Sequence, residues 1–318
     1  MRFVSMQRKD EQKMTTTQNA LTDPARRHDF VLLFDVQDGN PNGDPDAGNL
    51  PRIDPETMQG LVTDVAIKRK VRNWIDETRG HEERFKIYVQ NRGEALNSLH
   101  ERAYTALGIK SSGSKQKRED VERTRAWMCE NFYDIRTFGA VMTTNINCGQ
   151  VRGPVQLTFA RSIDQVVPLD LSITRVAVTR KEDAVVVGED GGETGGKTTE
   201  MGRKAIVPYA LFRAHGFVVP SFAAQTGFSA EDLAMFWEAL GRMWDIDRSA
   251  SRGMMACRGV YVFSHENRFG NAPAHSLLER VKVNRATSVS APRAFSDYDV
   301  SVSDAALPDG VTMTRLHL

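Results

Sequence analysis

The chain has 318 residues, enough for one large domain or two small ones. Hydrophobic residues make up 40% and charged residues 26%, as in an ordinary globular protein, and a formal net charge of +1 announces no nucleic-acid partner, so any such site must come from local segregation of charge. Cys129, Cys148 and Cys257 are odd in number and widely spaced, which argues against a disulfide framework or a thiolate zinc site and suits a reducing cytoplasm. No apolar run approaches transmembrane length, and the N-terminus lacks the apolar core of a signal peptide.

Residues 1–27 are polar and without sustained periodicity, and are expected to form a flexible arm. Phe30–Val36 is a near-continuous apolar run ended by Asp38-Gly39, which predicts a buried central strand. The loop beyond it is dense in Gly, Pro, Asn and Asp, so turns dominate it. Thr63 or Asp64 is the predicted N-cap of a helix running to Ile75. Ile67, Val71, Trp74 and Ile75 share one face of that helix, and Lys68, Arg69 and Arg72 the other. Four cations stand within Lys68–Arg72 with no interleaved acid; the plain reading is a solvated face, the sharper one a phosphate-binding face.

A short strand is expected at Lys86–Gln90 and helices at Gly93–Leu107 and Val121–Tyr133, so 76–134 reads as a helical insertion between sheet elements. Strand character returns at Ile135–Met142, Val151–Ala160 and Leu171–Thr179. Between the first two, Asn145, Gln150 and Arg152 stand beside Gly149 and Gly153, which suits either close approach to a ligand backbone or a plain hairpin. Val185–Val187 and Ile206–Pro220 flank a Gly-rich stretch and suggest a protruding hairpin. Ser229 and Asp232 resemble a capping box. Leu233, Phe236, Trp237, Leu240 and Trp244 form the apolar stripe of the helix it opens, a core face rather than a cofactor box. Arg258–His265 is a further strand. Without regular βα alternation, the pattern argues α+β with a largely antiparallel sheet.

Four motifs carry weaker signals. Gly191–Thr198 matches the phosphate-loop pattern, but it lacks a helical period after it and carries Glu189, Asp190 and Glu193, which would repel phosphate. Asp38, Asn40 and Asn42 imitate the start of a calcium loop, yet position twelve is Asn49 and two prolines interrupt it. Asp38, Asp44, Asp46 and Asp54 could in principle hold a metal for phosphodiester cleavage, though no histidine is near. Arg258-Gly259 only faintly matches an RNA-binding signature.

The segments FDVQDGNPNGDPDAGNLPRIDPETMQGLVTDVAIKRKVRN, DIRTFGAVM, GQVRGPVQLTFARS, YALFRAHGFVVP and SRGMMACRGVYVFSHENRFGNAPAH resemble the backbone subunits of type I-C CRISPR Cascade complexes, in the RAMP superfamily. The likeness spans about Phe30–Val283. It implies a single domain over 28–318: a modified ferredoxin-like or RRM palm (28–75 and 135–318), a helical finger (76–134) and a β-hairpin thumb (about 180–206). It also implies a non-catalytic crRNA-binding subunit that polymerises along the guide and presents it for pairing with target DNA in antiviral defence. The partners implied are crRNA, target DNA, further copies of the chain, and the five-type, large and small Cascade subunits, with no cofactor and no membrane. On this basis Lys68, Arg69 and Arg72 are expected on phosphates, with Arg52 and the Asn40/Asn42 loop near the same end of the helix. Arg136, Gln150, Arg152, Arg203 and Lys204 are further candidates, and Met201 is a candidate wedge between bases, or a staple onto a neighbour. The competing reading is a metal-dependent ribonuclease using the Asp38–Asp54 loop.

Overall fold

The apolar run at Phe30–Val36 is the middle of strand β1 (His28–Gly39) in the computed structural model, which describes residues 20–90, 93–112, 115–180, 186–187, 193–194, 196 and 199–316. Short strands β2 (Gly43–Asp44) and β3 (Leu50–Pro51) follow, then β4 (Gln59–Val62) and helix α1 (Asp64–Arg79). Helices α2 (Leu96–Ala106), α3 (Arg118–Asn131) and α4 (Tyr133–Phe138) precede strands β5 (Gly139–Thr143), β6 (Asn147–Arg152), β7 (Val155–Leu157), β8 (Ala160–Gln165) and β9 (Leu169–Arg175). After β10 (Val186–Val187) and β11 (Glu193–Thr194) comes the long strand β12 (Glu200–Val218). Helices α5 (Pro220–Thr226) and α6 (Ala230–Ile246), strand β13 (Met254–His265), helix α7 (Ala274–Leu278) and strands β14 (Val281–Arg285), β15 (Tyr298–Val302) and β16 (Val311–Leu316) complete the chain.

The main sheet runs β16-β13-β1-β12-β8-β4, and β1 pairs antiparallel with both β12 and β13. Its centre, β13-β1-β12-β8, with α1 after β1 and α6 after β12, is the βαββαβ ferredoxin-like arrangement, so the α+β expectation holds. The run in β1 is continuous because both faces of the sheet are covered. Phe30, Leu32, Phe34 and Val36 join the core under α1 and α6, while Val31 and Leu33 join a second core with Tyr261, Phe263, Leu277 and Tyr298. Phe34 stacks on Phe212 at 5.3 Å and on Trp244 at 4.6 Å. Gly216 lies in mid-strand because an added Cβ would come within 2.0 Å of the Phe30 ring.

Helices α2, α3 and α4 and the β5–β6 hairpin enclose a third, smaller core around Leu99, Tyr104, Met128, Phe132 and Met142. The insertion therefore shares its core with residues as far as Cys148, beyond the expected boundary at 134. Two expected strands differ. Ile135–Phe138 is helical, because Arg136 turns inward to a buried acid; only Gly139 onward is strand. Lys86–Gln90 makes a single bridge, Lys86 to Phe132, and is held instead by Asp134, which accepts from the Tyr88 and Val89 N–H groups. The predicted strand at Leu171–Thr179 is β9, which pairs with the first seven residues of β12 and so forms the outgoing arm of the protruding hairpin.

Residues 1–19 of the expected arm lie outside the described residues, but 20–27 are anchored. Leu21 is buried and its carbonyl accepts from the Trp237 indole at 3.0 Å. The Gly191–Thr198 motif also lies largely outside the described residues, and the element after it is a strand, β12, where a phosphate loop requires a helix.

His28, wholly buried, caps this region. Its Nε2 donates to the Asp23 carbonyl, which leaves Nδ1 to accept from the Ser264 hydroxyl, each at 2.9 Å. Burial pushes its pKa down to about 4. The unfolded chain takes up this proton near pH 6.5 and the folded chain only near pH 4, so stability present above pH 6.5 declines as pH falls, by up to about 1.4 kcal/mol per unit. Urea unfolding at pH 7 and pH 5 should show the loss, and His28→Gln should make that pH slope shallower.

Candidate nucleic-acid interface

β12 changes partner part-way along its length. From Val207 to Val218 it pairs with β1, and from Glu200 to Ile206 with β9. The change falls beside Asn40, the residue after β1. Here Asn40, the Ala47–Leu50 turn, the hairpin base (Asp170 and Arg203–Ala205) and Ser251 line a cleft of about 320 Å³. The Arg248–Gly253 loop crosses beneath it. Asn40 N–H donates to the Ser251 carbonyl at 2.7 Å, and Gly39 leaves room where a Cβ would meet the Arg252 carbonyl at 1.9 Å.

Of the expected contact residues, the cleft gathers Asn40, Arg203 and Lys204. Asn40 is buried; its Nδ2 donates to the Asn49 carbonyl at 2.8 Å, and its Oδ1 has no partner. Arg203 is exposed and holds only a surface contact of 3.3 Å to Asp170, which leaves most of its donors available. Arg69 is exposed near the same place. Its guanidinium pKa is lowered, first by partial desolvation and then by the charge of Arg252. Met201 projects from the hairpin, 77% exposed, on the strand face it shares with Arg203.

The other candidates have different surroundings. Asn42 accepts from both the N–H and the hydroxyl of Thr63 at 2.9 Å, and Thr63 caps α1 as expected. Asn42→Ala should cost about 1–3 kcal/mol in urea unfolding, since it leaves the N–H and hydroxyl of Thr63 without their acceptor. Arg52 pairs with Asp44 at 3.5 Å within the loop. Lys68 bonds Asp64 at 2.8 Å and lies over the Phe138 ring. Arg72 is buried against Asp134 at 2.8 Å. Lys70 is buried too, ion-paired with Asp247 and lying over Trp244. The expected outward cationic face is therefore largely neutralised, Lys68 by Asp64 of the same helix and Arg72 by Asp134 from elsewhere in the fold, and Arg69 is its exposed member. Arg136 has no exposed surface: it makes a bidentate pair with Asp232 at 2.7 and 2.9 Å and donates to the Cys129, Glu130 and Arg84 carbonyls. With its donors so engaged, it is a structural residue and offers nothing to a ligand. Gln150 and Arg152 line a separate pocket, between α3, β6 and α5.

Sequence reasoning missed Asn49, Ser251 and Arg252. The Arg248-Ser-Ala-Ser-Arg-Gly253 run was their available signal, since its serines and glycine suit a tight crossing. The loop aspartates are engaged separately. Asp44 caps a short turn through Asp46 N–H. Asp54 accepts from Arg161 at 2.7 Å and from the N–H groups of Glu56 and Thr57, and Arg161 holds its carboxyl below the usual range. Among the described residues no group of three or more His, Cys, Asp or Glu side chains is placed to hold a metal, and no helix is long and apolar enough to cross a membrane.

Comparison with known proteins supplies a family. A CRISPR-associated protein Cas7 of Haloferax volcanii is 26% identical over 236 residues, which are 67% of this chain and 64% of that protein, so the match spans under two-thirds of the relative. Among solved structures, a chain of a CRISPR RNA-guided surveillance complex in a pre-nicking state matches with a TM-score of 0.45 and 14% identity, over 76% of this chain and 79% of that one. A chain of the type III-B Cmr-beta complex bound to cognate target RNA matches at 0.36 and 12%, over 80% and 66%. The Cas7 family model matches residues 26–303, most of the sequence, and the chain belongs to that family.

Proposed function

We propose that this chain is a guide-RNA-binding backbone subunit of a CRISPR surveillance complex of the type I-C branch, cytoplasmic, and that it does not itself cut nucleic acid. The observation that carries the reading is the cleft at the partner change of β12. A hairpin base bearing Arg203 and Lys204 faces the Ala47–Leu50 turn that Asn40 holds through the Asn49 carbonyl, and Arg69 stands exposed nearby. Such a groove takes up a sugar-phosphate backbone by charge and donor geometry, without reading bases. The guide is then left to pair with target DNA, while further copies of the chain and the other Cascade subunits assemble along it. Met201 stands on the strand face of Arg203, positioned to wedge against a base where the strand crosses the hairpin.

The test is the nucleic-acid content of the protein purified with and without its CRISPR array and partner subunits. A discrete RNA that stays intact with magnesium, in a large assembly, is expected. RNA that shortens only with magnesium, and no longer does so after Asp→Asn changes at Asp38 and Asp44, would establish the ribonuclease instead.

A further inference from the structure

A groove of about 920 Å³, nearly three times the cleft, lies on the helical insertion between residues 83–90, α2 and α3. Trp127 of α3 is half-buried in its wall, edge-on to Phe132 with ring centroids 6.2 Å apart. Some of its charges are engaged: Arg102 pairs with Glu94, and Lys86 donates to the Gly80 carbonyl at 3.0 Å. Glu83 and Glu101 are exposed, and neither has a basic partner among the described residues. The groove thus offers an indole and two unspent carboxylates. These repel a phosphate backbone and suit a cation carried on an apolar body.

Such a body stands elsewhere on the same chain. Phe269 is 77% exposed, and the Arg268 guanidinium lies over its ring, 5.0 Å from the centroid. Arg268 is exposed too, with no acidic partner among the described residues. The loop that presents them is braced. The Phe269 N–H donates to Asn267 Oδ1 and its carbonyl accepts from Arg27, while the Asn267 N–H donates to Asn271 Oδ1, each at 2.9 Å. A knob held in this way loses little conformational freedom on docking. Its loop leads into α7, whose Leu277 and Leu278 pack in the second core. The groove borders Ile87 of the first core and Leu99 and Phe132 of the third. Knob and groove therefore lie on opposite sides of the main sheet, and one chain cannot fill its own groove.

We infer that Arg268 and Phe269 of one copy seat in this groove of the next, the ring against Trp127 and the guanidinium on Glu83 and Glu101. A contact between two different patches is heterologous and repeats head to tail. That copies assemble rests on the reading above, but these surfaces share no residue with the cleft, and the contact needs no RNA.

The test follows self-association of the full chain, freed of nucleic acid by nuclease, by sedimentation velocity over a concentration series. Arg268→Glu, Phe269→Ser, and Glu83→Arg with Glu101→Arg should each weaken association about tenfold or more. Arg268→Glu combined with Glu83→Arg and Glu101→Arg in one chain should restore it, which damage to folding would not do. Trp74, Trp237 and Trp244 are buried, so the emission of Trp127 should shift as copies associate, and Trp127→Phe should abolish the shift. Arg69→Gln, Arg203→Gln and Lys204→Gln should leave association unchanged. If the wild-type chain stays monomeric without RNA, or the reversed charges fail to restore association, the inference is overturned, while guide binding is decided separately by the cleft variants. Association that leaves Trp127 emission unchanged would put the contact elsewhere and overturn it as well.

Discussion

Replacing Arg136 with alanine should lower the free energy of unfolding by about 3–5 kcal/mol, the usual consequence of stranding one member of a buried ion pair. The side chain joins three parts of the fold. It grips Asp232 at the N-terminus of α6, takes the Cys129 and Glu130 carbonyls at the end of α3, and lies against the rings of Phe85 and Tyr133. Asp232 also closes the capping box of α6 through Ser229 and accepts from Arg84 at 3.2 Å. Removing Arg136 therefore leaves a buried carboxylate short of its main counter-charge and takes a donor from three carbonyls, those of Arg84, Cys129 and Glu130. Arg136→Lys should rescue little, since one ammonium cannot reproduce the fork. Denaturant midpoints decide the matter; a loss under about 1 kcal/mol would mean that water replaces the guanidinium without penalty.

The opposite profile is expected in the cleft. Arg69→Gln, Arg203→Gln and Lys204→Gln together should leave stability nearly unchanged and weaken single-stranded RNA binding by about tenfold to a hundredfold near 0.1 M salt. The salt slope should fall by about 2, at ~0.7 per charge removed. Lys68→Gln with Arg72→Gln is the matched control. Those cations are spent on Asp64 and Asp134, so the pair should lower stability and leave the salt slope in place. Anisotropy titrations at several salt concentrations separate the two. If the control pair moved the slope and the cleft triple did not, the groove would lie along α1 instead.

The contrast between these two sets marks what the sequence made legible. Periodicity is local, so β1, α1 with its Thr63 cap, and the Ser229 box of α6 could be read directly. The apolar stripe of α6 is core, as its spacing implied. Charge compensation is mostly not local, Lys68 with Asp64 being the exception. Within Lys68–Arg72 no acid is interleaved, yet Asp134 and Asp247 arrive from 62 and 177 positions away. Arg136 misled for the same reason: its partner is 96 residues distant, and a short helix beside a β-prone run is invisible when tertiary contacts decide it. The hairpin was legible as an object but not in its pairing, because β9 looked like one more strand of the sheet.

β12 is a single strand of 19 residues, about 60 Å long at ~3.3 Å per residue. Twelve of those residues, Val207–Val218, lie along β1 in the main sheet, flanked on the other side by β8 and β7 from Phe212 onward, and the remaining seven carry the hairpin outward. Mechanically this is a cantilever with a built-in root. A load on Met201 cannot swing the hairpin about a loop hinge at its base; it has to bend the beam or twist the sheet that anchors it. The reach of the hairpin is thus fixed by a count of residues, and a chain that repeats along a strand would carry the same measuring rod in each copy. Inserting two residues into both β9 and β12 outside the main sheet would preserve the alternation of faces and lengthen that rod by about 7 Å.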